Sequence, residues 1–173
     1  MDSSEYLAFV PLLIYGIALA DLFGEWKRLF DKTQWFLPYI LLTVVFTEVA
    51  VYNVFIYLKL VNQMADLNYI NYLVTLLPPF LFMLLVNSFT PDKGDITKDY
   101  FLKNMPIFMG LLAAFIASHF LFNFEENPLT IVGRVASIVF IIITGLSRKI
   151  WMVYLASFFW LVLLLTRIDQ IVI

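Results

Sequence analysis

The chain is a succession of apolar runs, each about as long as a bilayer is thick, separated by short polar loops. The runs cover residues 6–23, 35–60, 69–89, 104–122, 129–146 and 150–166. A helix crosses the hydrocarbon core with about 20 such residues, and near-continuous apolar blocks of this length need lipid around them. Hydrophobic residues make up 62% of the chain and charged residues 14%, which no ordinary soluble domain approaches. The predicted fold is therefore all-α: a polytopic integral membrane protein folded as one compact bundle of six transmembrane helices over residues 1–173. Its first partner is the lipid bilayer.

Several classes of function fall away at once. A net charge of −2, with basic residues scattered through loops, offers no face for nucleic acid. Cysteine is absent, which removes disulfides, thiolate nucleophiles and cysteine metal sites. There is no phosphate-binding glycine loop, HExxH pair or GxSxG elbow, and the lone histidine cannot build a zinc or haem site, so no catalytic residue, metal or cofactor is predicted. An enzyme built on this chain would have to use membrane-embedded carboxylates. The acidic start, Asp2 and Glu5, lacks the positive region of a secretory signal, so the first run is expected to stay as a span.

Glu48 stands near the middle of the second run, with Trp35 and Pro38 at one boundary and Lys59 at the other. An ionised carboxyl at that depth costs roughly 2.5–3.5 kcal/mol on insertion scales, so it is expected to be neutral, paired, or beside a wet cavity. Helical spacing puts Val44, Val45 and Tyr52 on its face, with Tyr52 a candidate hydrogen-bond donor. Glu48 is either a proton or cation site, or a protonated acid bonded to a neighbouring helix.

The third run carries Pro78 and Pro79 in its middle, which predicts a kinked third helix and a candidate hinge. The carbonyls of Val74 and Thr75 lose their usual donors and must be met by a neighbouring helix, a hydroxyl or water. Small residues recur four apart at Gly16, Ala20 and Gly24, and again at Gly110, Ala114 and Ser118. Such faces admit close helix contact, either within the chain or with a second copy or membrane partner subunit.

Arg134 lies about two turns inside the fifth run, where it must snorkel or meet an acid, with Glu125, Glu126 and Glu48 as candidates. His119 sits near the outer end of the fourth run with Asn123 one turn on; it is a structural residue or a pH-sensitive one. Asp21, with Glu25 to Arg28 after it, reads as an interfacial charge-paired turn. The largest polar loop, residues 90–103, has mixed charge, a turn at Pro91 to Gly94 and a later part fit for a short interfacial helix. Asp92, Asp95 and Asp99 lack the spacing and terminal glutamate of a calcium loop.

Counting Lys and Arg over alternate loops gives eight on one side (Lys27, Arg28, Lys32, Lys93, Lys98, Lys103, Arg148, Lys149) and two on the other (Lys59, Arg167). The positive-inside rule then puts loop 90–103 in the cytoplasm and both termini outside it. The lack of a transit peptide points to a prokaryotic cell (inner) membrane. Six spans divide as three plus three in inverted orientation, a plan used by transporters, with Glu48 and Arg134 on the middle helix of each half.

Two functions fit. One is a channel or transporter for an ion, proton or small solute, working as an oligomer, with Glu48 as the site, Tyr52 its partner, Arg134 a gate and Pro78–Pro79 a hinge. The other is a non-transporting membrane subunit or sensor that binds partner helices, or a cytoplasmic protein through residues 90–103.

Overall fold

The computed structural model describes the backbone of residues 3–31, 34–64, 68–121 and 128–171, and the side chains of these stretches except residues 3–6, 29, 59–64, 129–130 and 165–171. Among the described residues every regular element is helical: α1 Ser3–Phe30, α2 Leu37–Met64, α3 Tyr69–Thr75, α4 Leu77–Phe89, α5 Thr97–Ser118 followed by a 3₁₀ turn His119–Leu121, α6 Pro128–Ser147 and α7 Ile150–Ile171. They form six helical segments, the third in two pieces. Four stretches are long and apolar enough to cross a membrane, namely Leu7–Arg28, Leu37–Leu58, Tyr69–Phe89 and Thr97–Leu121. The described apolar parts of the last two helices, Ile131–Ser147 and Ile150–Leu164, are shorter.

The third segment corrects the expected kink at Pro78–Pro79. It is two helices, and the break falls at Leu76, whose N–H bonds the Leu73 carbonyl. Neither proline has the N–H that would continue the ladder to Val74 and Thr75, so α3 stops before them. The prolines then stand in the first turn of α4, where missing donors cost least. Helix α5 starts at Thr97, earlier than expected, because Phe101, Met105, Phe108 and Met109 form one buried stripe that draws residues 97–103 into the same helix. Helix α1 likewise runs through Glu25 to Arg28, which stand on its last turns and not in a loop.

The core lies where α1, α2, α4 and α5 meet, α1 packing on α2 and α4, and α4 on α5. Phe89 is its hub, stacked on Tyr39 with ring centroids 4.6 Å apart and edge-on to Phe46, Phe101 and Phe108. Helix α6 rests on α5, and α7 rests mainly on α2. The halves are not packed alike. In the first, α1 packs closely on both α2 and α4; in the second, the middle helix, α6, packs closely on α5 and only lightly on α7.

Gly16, Ala20, Gly24, Gly110 and Ala114 all face outward, whereas Ser118 is buried. A Cβ added at Gly16, Gly24 or Gly110 meets nothing within 4 Å. The close helix approach in this chain falls elsewhere, at Gly145 of α6, where an added Cβ lies 2.7 Å from the Met109 Cβ and 3.4 Å from the Met105 carbonyl of α5.

Candidate functional site

Helix α2 carries two stripes. Leu42, Phe46, Val49, Ala50, Asn53 and Tyr57 are buried in the core, while Leu41, Val45, Glu48 and Tyr52 form a half-buried stripe beside it. Helix α7 covers part of α2 with a stripe of its own, in which Val153 and Ser157 are buried and Ala156, Trp160 and Leu164 half-buried. The Trp160 indole Nε1–H donates to Glu48 Oε2 at 2.8 Å. It is the one hydrogen-bond partner of Glu48 among the described residues. Tyr52 shares the stripe of Glu48 but does not bond it; the donor comes from the neighbouring helix.

Arg134 is also apart from Glu48. Its guanidinium lies over the Phe120 ring, 5.7 Å from the centroid, and no ion pair joins it to Glu48. Glu125 and Glu126, its other candidate acids, lie outside the described residues, as does Asn123 beside His119. His119 instead ties α5 to α2. Its Nδ1 is 2.8 Å from the Phe115 carbonyl and its Nε2 3.3 Å from Asn53 Oδ1. The amide nitrogen of Asn53 is committed to the Val49 carbonyl at 2.8 Å, which leaves its oxygen toward the imidazole.

Each of two proline-freed carbonyls is met by a tyrosine. The Tyr57 hydroxyl donates to the Thr75 carbonyl at 2.6 Å, where Pro79 supplies no N–H. The Tyr72 hydroxyl donates to the Leu7 carbonyl at 3.1 Å, where Pro11 supplies none. Thus Pro78 and Pro79 sit at a helix break braced by α2.

At the basic end of the bundle Arg28 forms an ion pair with Glu25, which also accepts from the Tyr39 hydroxyl at 3.3 Å. The same guanidinium donates to the carbonyls of Pro91, Asp92 and Asp95, and Gln34 Oε1 accepts from both the N–H and the hydroxyl of Thr97. These bonds fix the turn of residues 90–96. Two surface depressions of about 260 and 360 Å³ flank it, lined by Lys27, Lys93, Asp95, Asp99 and Lys103 among others, so neither has one sign of charge. Among the described residues no three His, Cys, Asp or Glu side chains cluster as a metal centre would need.

No protein-family profile, curated protein or solved structure matches the chain. What the site can do therefore rests on its chemistry. Glu48 is a carboxyl held at the middle of a 22-residue apolar span, Leu37–Leu58, by a neutral donor. An indole N–H orients a carboxyl but does not cancel its charge. Trp160 was legible as unusual, since tryptophan favours the ends of a membrane helix and this one lies well inside its run. Nothing in the pattern of residues named it as the partner of Glu48.

Proposed function

We propose that the protein is a multi-pass membrane protein that carries protons or small cations across the bilayer at Glu48. The observation that supports this is the neutral partner. An acid kept ionised at mid-span for architecture alone is expected to face Arg or Lys, which would neutralise it permanently. Glu48 has Trp160 instead, so in hydrocarbon its charge must be cancelled by something that comes from solution, a proton or a cation. The Trp160 bond holds one carboxyl oxygen in place through either state, since the indole donates to a carboxylate and to a carbonyl oxygen alike. The apolar outward faces of the helices, Phe9, Leu13 and Ile17 on α1 and Phe158, Phe159 and Leu163 on α7 among them, suit a lipid surround. In this reading the turn at residues 90–96 is cytoplasmic and both termini lie on the other side.

Trp160 is a built-in reporter of this chemistry. With Trp26, Trp35 and Trp151 replaced by Phe, the emission of Trp160 in detergent or nanodiscs should shift as pH or cation concentration is changed. Glu48→Gln should abolish the shift while the helical circular dichroism is kept. An emission indifferent to both variables in the folded protein would mean that Glu48 does not exchange its neutralising partner with water, and would overturn the proposal.

A further inference from the structure

Ser157 is only 3% exposed, and its hydroxyl has no hydrogen-bond partner among the described residues. A buried hydroxyl left unsatisfied is costly, so such a group calls for a partner that the described protein atoms do not provide. Its position says where that partner sits. Ser157 lies one turn before Trp160 on the stripe of α7 that faces α2. Side chains on a helix lean toward its N-terminus, so the Trp160 indole leans over the turn that carries Ser157, and that indole is the group bonded to Glu48 Oε2. Glu48 Oε2 is engaged by the indole, while its second oxygen has no partner among the described residues.

We propose that Glu48 and Ser157 together bind a small hard monovalent cation, with sodium as the probe. This rests on the reading of Glu48 given above and narrows it from proton or cation to a metal cation. The chemistry favours such an ion because carboxylate and hydroxyl oxygens are hard ligands. A bare proton needs only the carboxyl, whereas a metal ion needs further oxygens. The hydroxyl offers its lone pairs to the ion. Trp160, being a donor only, holds the carboxyl and stays out of the coordination shell.

The test is thermal unfolding of the detergent-solubilised full chain in sodium chloride against choline chloride at equal ionic strength. A ligand that binds only the folded state raises Tm with its concentration. Sodium should raise Tm in wild type and not in Glu48→Gln. Ser157→Ala should need at least about tenfold more sodium for the same rise, the loss expected when a metal site is stripped of a supporting oxygen. Ser157→Thr, which keeps the hydroxyl, should respond as wild type does. If Ser157→Ala does not fold, Ser157→Cys serves, since it exchanges a hard oxygen for a soft sulfur at nearly equal size. A sodium response unchanged in Ser157→Ala or Ser157→Cys would overturn the assignment of Ser157. No sodium response in wild type, with proton flux that still depends on Glu48, would overturn the metal-cation site and leave the proton reading of Glu48 standing. Absence of both would overturn the two together.

Discussion

Tyr57 and Tyr72 replace backbone donors that proline removes, and each does so from a different helix than the carbonyl it meets. That some group had to meet the Thr75 carbonyl was legible from Pro79 alone, because hydrocarbon offers no water to do it. Which group was not, since the hydroxyl comes from 18 residues away along the chain. Tyr57→Phe should therefore cost about 1 kcal/mol in a reversible unfolding titration in mixed micelles, whereas Tyr52→Phe should be silent. Equal costs would mean that the Thr75 carbonyl is satisfied some other way. Gly145 makes the opposite point. The four-residue spacing of Gly16, Ala20 and Gly24 is visible in sequence yet faces outward, and the glycine that admits a neighbouring helix stands alone, without a repeat to announce it. Gly145→Ala should lose about 1–3 kcal/mol, because Met109 Cβ is fixed to its backbone and α5 must move. Gly110→Ala should stay within about 0.5 kcal/mol of wild type in the same titration.

At the scale of elements, the apolar runs located every helical segment but not its ends. Hydropathy reports where lipid or core surrounds the chain, whereas helices stop where hydrogen bonding fails. Helix α1 runs on to Phe30 because its charged last turns find partners in the turn at residues 90–96. The third segment breaks at Leu76, one turn ahead of where proline lacks its donor. This gives a coupled prediction. With Pro78 and Pro79 both replaced by Ala, the Val74 and Thr75 carbonyls regain backbone donors, α3 and α4 can join, and the Tyr57 hydroxyl becomes redundant. Tyr57→Phe should then cost less than about 0.5 kcal/mol, against about 1 kcal/mol in the wild-type background. A cost that does not change between backgrounds would show that the prolines are not the reason for the tyrosine. Helical spacing joins Glu48 to Tyr52 and depth in its run singles out Arg134, but such spacing identifies a stripe without saying which helix covers it. The face shared by Glu48 and Tyr52 is met by α7 at Glu48, through Trp160, and Arg134 lies by Phe120.

For the whole molecule, four helices build the core and two rest on its flanks, so the polar contacts of α2 reach four neighbours: α1 through Tyr39, α7 through Glu48, α5 through Asn53 and the α3–α4 break through Tyr57. Orientation in a membrane is a separate question that loop charge addresses. The natural absence of cysteine makes it direct to examine, since Lys93→Cys introduces the only thiol. In intact right-side-out vesicles that thiol should resist a membrane-impermeant maleimide and react once the vesicles are opened; labelling from outside would reverse the topology. Transport at Glu48 is read directly as proton and sodium flux into liposomes holding the purified protein, wild type against Glu48→Gln at matched incorporation. Wild type should show flux that is lost in Glu48→Gln with folding retained. Flux that survives the substitution unchanged, or none from folded wild-type protein, would contradict it.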